Sequence, residues 1–124
     1  MKYKSLPSFD KDMKKLSKRY SSLNSDFKFL VKYHIEAFHI HGVRSDDPVE
    51  ISGCCGKDYK SYKVRKFACK SLRGSGKNSG LRLIYVYELN PKIITFVEIY
   101  YKGDKENEDK GRLKEFTEGL DGEN

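Results

Sequence analysis

The fold is decided by three strand-like runs, KVRKFACKSL (63–72), LRLIYVYE (81–88) and IITFVEIYYK (93–102). The Gly/Ser-rich segment RGSGKNSG (73–80) separates the first two runs, and Asn90-Pro91 marks a turn before the third. Because short turns join neighbouring runs, we expect them to pair as an antiparallel sheet. Strict alternation along the third run predicts one face that carries Ile94, Phe96, Glu98 and Tyr100. We expect one face of the sheet to pack on helices and the other to stay partly open.

The same region is strongly basic. Residues 60–102 hold ten Lys or Arg and two acids, a balance of +8, in a chain of 124 residues with a net charge of +7. Residues 103–124 hold eight acids and four bases, a balance of −4. A basic sheet with interleaved tyrosines is suited to a phosphate backbone and its bases. The alternative interpretation is a solubilising surface with incidental lysines.

Helical periodicity flanks the sheet. Residues 2–6 predict a short strand, and two helices follow whose apolar stripes are Phe9, Met13, Leu16, Tyr20 and Leu23, then Phe27, Leu30, Val31, His34, Ile35 and Phe38. The few residues between these helices predict an antiparallel hairpin. Residues 42–62 are predicted as a connecting loop and 107–120 as a C-terminal helix.

The chain is thus predicted to be a single α+β domain over residues 1–124, in the order β–α–α–β–β–β–α. Its small, antiparallel-rich sheet should pack on the N-terminal helical hairpin. Cys54, Cys55 and Cys69 are an odd number without a signal segment, which argues against a disulfide framework. The histidines lack metal-ligand spacing, so we expect no metal and no cofactor. No apolar run is long enough to span a membrane, and we expect a cytoplasmic location.

Five residues of the sheet are candidates for chemistry on a phosphate. Arg82 begins a strand after the Gly/Ser turn, and its guanidinium suits phosphate oxygens. Lys66 and Lys70 have even spacing, should share a strand face, and repel each other, which favours a general base. Glu98 is either a base or an ion-pair partner, and Tyr100 either stacks on a nucleobase or borders the core. The alternative for each cation is a solvated surface group.

Two segments are similar to one known family. SGLRLIYVY (79–87), which follows the Gly-rich turn, and FVEIYYKGDKENED (96–109), which precedes the last helix, resemble the RelE/ParE superfamily of toxin–antitoxin toxins. The resemblance implies a sheet backed by the helical hairpin and an antitoxin that covers a basic cleft. For RelE-type members it implies cleavage of mRNA in the ribosomal A site. Arg82 matches the family's Arg after SG, Lys66 and Lys70 stand near its strand lysines, and Lys102 and Lys105 stand near its C-terminal basic positions.

These observations predict a metal-independent, ribosome-dependent mRNA endoribonuclease whose partners are an antitoxin, the ribosome and mRNA. The expected catalytic residues are Lys66, Lys70, Arg82 and Lys102, and the expected RNA contacts are Lys63, Arg65, Arg73, Tyr100 and Lys105. Family nucleases often carry a Tyr, or a His–Lys pair, after the last strand, whereas this chain has an acidic segment there. Two alternatives therefore stay open: a ParE-type inhibitor of DNA gyrase, and a non-catalytic nucleic-acid-binding or interaction domain.

Overall fold

The structure is a computed structural model that describes residues 1–72 and 79–122. Its helices are α1 (Pro7–Arg19), α2 (Leu23–Leu30), α3 (Glu36–His39) and α4 (Lys110–Gly122), and a π-helical turn (Val31–Ile35) joins α2 to α3. No helix in the described residues is long and apolar enough to cross a membrane.

In these described ranges, five strands form one sheet in the spatial order β1-β5-β4-β3-β2. They are β1 (Lys2–Ser5), β2 (Val49–Glu50), β3 (Tyr59–Val64), β4 (Leu81–Leu89) and β5 (Lys92–Tyr101). The edge strand β1 runs parallel to β5, and the other three pairings are antiparallel. The predicted α+β architecture, an antiparallel-rich sheet with an N-terminal helical hairpin and a C-terminal helix, is confirmed.

The predicted boundaries of the first central strand were wrong. That strand is β3, which begins at Tyr59 and ends at Val64, and an isolated bridge at Phe67 is the only β pairing in the described residues 65–72. The strand stops because the Asp47 carboxylate accepts hydrogen bonds from the backbone amides of Arg65 (2.8 Å) and Lys66 (3.1 Å). Those amides therefore cannot continue the ladder.

The segment 42–62 is consequently not one continuous loop, because β2 and the first four residues of β3 lie within it. The C-terminal helix begins three residues later than expected, at Lys110, and continues to Gly122. Most of the Gly/Ser segment 73–80, including the predicted RNA contact Arg73, lies outside the described residues.

One face of the sheet is covered by the helical hairpin. Three aromatic rings meet there: Phe9 of α1, Phe27 of α2 and Phe96 of β5 have centroids 5.0–5.7 Å apart. Pro7 occupies the first position of α1, where a missing backbone N–H costs nothing. These rings fix both helices against β5.

The opposite face is also covered, so the expectation of a partly open face was wrong. Leu113 of α4 is 1% exposed and packs in a second apolar cluster with Ile84, Val86, Val97 and Tyr100. Phe116 and Leu120 border this cluster. The sheet therefore lies between the hairpin and α4.

A β-bulge in β5 also overturns the predicted alternation. Tyr85 pairs with Phe96, whereas the preceding Ile84 pairs with Glu98, so Val97 is an extra residue in β5. As a result, Phe96 faces the hairpin, while Glu98 and Tyr100 face α4. The bulge therefore places the Glu98 carboxylate and the Tyr100 phenol on the same face of the sheet as Arg82.

Candidate functional site

A polar cluster lies under the start of α4, at the end of the sheet where β3 and β5 finish and β4 begins. Arg82 of β4 pairs directly with Tyr100 of β5, and Lys63 of β3 pairs with Ile84, two residues along β4. Because side chains two apart on a strand share a face, Lys63, Arg82 and Tyr100 all lie on the α4 side. Lys105 reaches the cluster from the segment that follows β5.

Tyr100 is at the centre of this cluster. It is 4% exposed, and its hydroxyl is buried with no hydrogen bond of normal geometry in the described part of the chain, while the Lys63 ammonium interacts with it more loosely. The ammonium groups of Lys105 and Lys63 lie 5.2 and 5.9 Å from its ring centroid. A buried hydroxyl that lacks a regular hydrogen bond is uncommon because it costs free energy, and a functional role is one explanation for it.

Two carboxylates form ion pairs with lysines of this cluster, and the first of them is Glu108. Lys63 Nζ donates to Glu108 Oε1 at 3.0 Å, and both side chains are largely buried. Burial lowers the pKa of Lys63, but hydrogen bonding and charge interactions with Glu108 and Tyr100 together outweigh burial, and the pKa is raised. Burial raises the pKa of the Glu108 carboxyl, but hydrogen bonds from its own backbone and from Lys63 leave it lowered. Both groups are therefore charged at neutral pH.

The second carboxylate, Glu98, is 1% exposed and has two partners. Its Oε2 accepts a hydrogen bond from Lys105 Nζ, and its Oε1 accepts one from the Asp109 amide at 2.8 Å. Glu98 thus fixes the backbone just before α4 begins. Of the two interpretations drawn from the sequence, this geometry favours the ion-pair partner over the free base.

Arg82 has different partners. Its Nη1 donates to the carbonyls of Arg65 (3.1 Å) and Leu81 (3.2 Å). Within residues 1–72 and 79–122, no carboxylate lies within ion-pair distance of this guanidinium. Its charge is held in place by neutral acceptors and is not compensated. Arg82 is therefore the cation of the cluster that is best prepared to bind an anion.

The structure does not place Lys66 in this cluster. Lys66 lies two residues beyond the end of β3, and its ammonium contacts both carboxylate oxygens of the exposed Asp46 at 2.8 Å. It lines a cleft of about 320 Å³ together with Phe29 and Tyr33 of the hairpin. The prediction that Lys66 and Lys70 share a strand face was wrong, because Asp47 ends the strand before either residue.

Three further cations predicted at the site are exposed, Lys70, Lys102 and Arg65. Lys70 is tied by its amide to Asp26 Oδ2 at 2.9 Å, and the Lys102 amide donates to the Gly80 carbonyl at 2.8 Å. Arg65 contributes its carbonyl to Arg82, not its own charge.

Sequence reasoning missed the role of Glu108. The signal was the acidic segment GDKENED (103–109), which directly follows the last strand of a basic sheet. The three histidines, by contrast, belong to the hairpin region. His34 Nε2 contacts Asp47 Oδ2 at 3.1 Å, and His39 Nε2 contacts the Tyr85 hydroxyl at 2.7 Å. Burial lowers the pKa of His39 to about 4, so that ring is neutral at physiological pH.

The arrangement can hold an anion and stabilise charge that develops on it. The ammonium groups of Lys63 and Lys105 lie near the Tyr100 ring, and Arg82 is the residue paired with Tyr100 on the neighbouring strand. Preorganised donors of this kind act most strongly in a partly buried site, because water competes less with them. Phosphate is the anion class that fits a guanidinium flanked by ammonium groups.

Comparisons with known proteins give a likeness in structure. No protein-family model and no curated protein sequence matches the chain. The structure is similar to a chain of the crystal structure of the archaeal RelE–RelB complex from Pyrococcus horikoshii OT3, with a TM-score of 0.50 and 16% sequence identity. The match covers 82% of this chain and 94% of that chain. The chain therefore has a RelE-like fold.

Proposed function

We propose that this chain is the toxin of a type II toxin–antitoxin module and that it cleaves mRNA on the ribosome. The RelE-like fold supports the first part. The observation that carries the second is that Lys63 and Lys105 approach the Tyr100 ring and Arg82 pairs with Tyr100 across the β4–β5 ladder. This cluster offers positive charge and a phenolic O–H at one point of the sheet.

In this proposal, the scissile phosphate sits over Tyr100. Arg82 binds its oxygens with the fork of the guanidinium, and Lys63 and Lys105 stabilise the charge that accumulates during cleavage. The Tyr100 hydroxyl donates to a phosphate oxygen, which gives it the hydrogen bond it otherwise lacks. The neighbouring 2′-hydroxyl oxygen attacks the phosphorus and the bond from phosphorus to the 5′ oxygen breaks, which gives a 2′,3′-cyclic phosphate and a 5′-hydroxyl. Solvent water accepts the 2′-hydroxyl proton and supplies one to the leaving 5′ oxygen.

The exposed cations have a different role in the proposal. Lys66, Lys70, Lys102 and Arg65 bind the RNA backbone of the messenger or the ribosome, and Arg73 adds to them. Their contribution is electrostatic and independent of sequence, so it depends on salt concentration. The chain works in the cytoplasm, where ribosomes are.

A cognate antitoxin is the second partner in this proposal. The neighbouring structure is a complex of RelE with RelB. A partner that neutralises this chain needs acidic groups, because residues 1–102 hold 21 bases and ten acids.

Induced expression in a bacterial host, followed by primer-extension mapping of mRNA ends, tests the proposal. We expect growth arrest with new ends inside translated codons. Arg82→Ala should abolish both effects. Arg44→Ala should leave them intact, since it also removes one exposed arginine but lies outside the cluster. Co-expression of an acidic protein from an adjacent gene should restore growth.

Other outcomes would overturn the proposal. Growth arrest with DNA breaks and intact mRNA would indicate a gyrase inhibitor of the ParE type. Normal growth at high expression of folded protein would indicate an interaction domain without catalysis.

A further inference from the structure

We infer that Glu108 is a displaceable internal competitor for the phosphate site, so that RNA binds by replacing this carboxylate on Lys63. The inference rests on the proposed function, because it takes Lys63, Arg82 and Lys105 as the phosphate site. It adds a restraint on RNA binding, because the Glu108 carboxylate occupies the position on Lys63 that the substrate phosphate must take.

The two carboxylates of the cluster differ in how firmly they are held. Glu98 is part of β5, is almost fully buried, and has partners on both of its oxygens. Glu108 lies between β5 and α4; one of its oxygens accepts from Lys63 at 3.0 Å, and its other hydrogen bond comes from the backbone of its own residue. Rotation of the Glu108 side chain therefore releases Lys63 without disturbing the anchor at Glu98.

The backbone around Glu108 has few constraints of its own. Residues 102–109 contain turns and bends and no helix or strand. The amides of Asp104 and Lys105 bond to the Tyr101 carbonyl, which holds the beginning of the segment, and Glu98 holds its end through the Asp109 amide. Glu108 itself can move while both ends of the segment stay in place.

The consequence is a change in the charge that RNA meets. In the resting chain, Glu108 and Glu98 offset two of the three cations and Arg82 stays uncompensated. When Glu108 leaves, Lys63 becomes available to a phosphate, 5.9 Å from the centroid of the Tyr100 ring. Productive binding thus engages one more cation than the resting surface presents.

The affinity for RNA measures what the displacement of Glu108 costs, and its salt dependence counts the phosphates that the protein engages. The probe is a fluorescein-labelled single-stranded oligouridylate, and its affinity is followed by anisotropy between 50 and 300 mM KCl. For single strands, each neutralised phosphate changes the slope of log K against log salt by about −0.7. Glu108→Gln should bind about fivefold more tightly than Glu106→Gln at low salt. Because a phosphate engages Lys63 in both variants once RNA is bound, the two slopes should be equal and only the affinity should differ.

Glu106→Gln is the matched control. Glu106 lies two residues earlier in the same segment, is exposed, and has no ion pair within the residues that the structure describes. Both variants raise the net charge by one, so a general electrostatic gain affects them equally. Only Glu108→Gln removes a partner from Lys63.

A double variant guards against misfolding and indirect effects. If Glu108 acts through Lys63, the gain from Glu108→Gln should disappear in a Lys63→Gln background. Equal affinities of the two single variants, slopes that differ by about 0.7, or a gain that persists without Lys63 would overturn the inference. Absence of binding by both at 50 mM KCl would overturn it as well.

The inference and the proposed function fail in different ways. If wild-type protein cleaves mRNA in cells but the two Gln variants are indistinguishable, the function stands and the internal competitor does not. If Glu108→Gln binds RNA more tightly through Lys63 but no variant cleaves mRNA, the competitor stands and the nuclease does not.

Discussion

Arg112 of α4 and Asp12 of α1 form an ion pair across the edge of the sheet, with Nη1 and Oδ2 2.7 Å apart. The same Arg112 atom donates to the Val97 carbonyl at 3.1 Å, and the same Asp12 oxygen accepts from the Ile99 amide at 3.4 Å. β1 pairs with β5 only as far as Phe96, so these side chains satisfy backbone groups beyond the end of that pairing. The pair therefore joins α1, β5 and α4 at the point where the candidate site begins.

Arg112→Ala is expected to lower the free energy of unfolding by about 2 kcal/mol, because it removes a partly buried charged hydrogen bond and leaves Asp12 without its cation. Urea denaturation followed by circular dichroism measures this loss. Lys114→Ala is the control on the same helix: its pair with Glu118 is 3.9 Å apart and exposed, so the change should stay within about 0.5 kcal/mol. Equal effects of the two variants would show that the pair does not join the elements.

Lys63→Ala should reduce mRNA cleavage in the expression assay by at least about tenfold, since it removes a cation that faces Tyr100. Lys60→Ala removes the same charge from the same strand. Lys60 pairs with the exposed Glu50 and points to the other face, so this variant should cleave like wild type. A similar loss in both variants would mean that only net charge matters.

Tyr100→Phe separates stability from function. The hydroxyl is buried with no hydrogen bond of normal geometry in the described residues, so its removal should leave the unfolding temperature unchanged or raise it. Cleavage should nevertheless fall, because the phosphate loses a donor. Thermal unfolding and primer extension on the same preparation measure both effects. A large drop in unfolding temperature would contradict the assignment of a free hydroxyl.

Asp47→Asn is expected to cost about 2–3 kcal/mol of unfolding free energy, since Asp47 is fully buried and accepts from two backbone amides and from His34. Asn replaces one of the two carboxylate oxygens with an NH₂ group, which donates at a position where an acceptor is required. The exposed neighbour provides the control: Asp46→Asn should change stability by less than about 0.5 kcal/mol. Chemical denaturation of both variants at pH 7.5 measures the two changes in unfolding free energy.

Because His39 is partly buried, we expect the protein to lose stability under mildly acidic conditions. Burial lowers the pKa of His39 to about 4, below the unfolded value of about 6.5, so the unfolded state takes up the proton first. Stability is therefore complete above about pH 6.5 and declines as the pH falls towards 4. Between pH 7.5 and 5 the decline should be about 1 kcal/mol, after a discount for the partial exposure of the ring.

Urea denaturation at the two pH values measures this decline in wild type and in His39→Gln. Gln keeps a partner for the Tyr85 hydroxyl but takes up no proton in this pH range. The stability of His39→Gln should therefore decline by about 1 kcal/mol less than that of wild type. The same pH dependence in both proteins would assign the effect to other groups.

Much of the fold follows from local sequence patterns. The apolar stripes of the N-terminal segments predict α1 and α2, because a helix has one periodicity that buries one face. The alternating runs after Gly80 predict β4 and β5, and the Asn90-Pro91 turn predicts their pairing. These elements could be predicted because their signals lie within a few residues of each other.

The end of β3 could not be read in the same way. Residues 63–72 look like a strand, but Asp47, some 18 residues earlier, takes the amides that would extend it. The bulge at Val97 is likewise a property of the paired strands and not of β5 alone. Together they remove Lys66 and Lys70 from the site and bring Tyr100 and Glu98 into it.

By itself, the sequence determined an α+β chain with a basic sheet, a helical hairpin, an acidic C-terminal segment and an arginine placed at the start of a strand. These features depend on side-chain period and composition, which are local quantities. Only the tertiary structure decided which charges meet. The pairings of Lys63 with Glu108 and of Glu98 with Lys105 depend on how α4 folds back over the sheet, and that path is set by contacts between residues far apart in the chain.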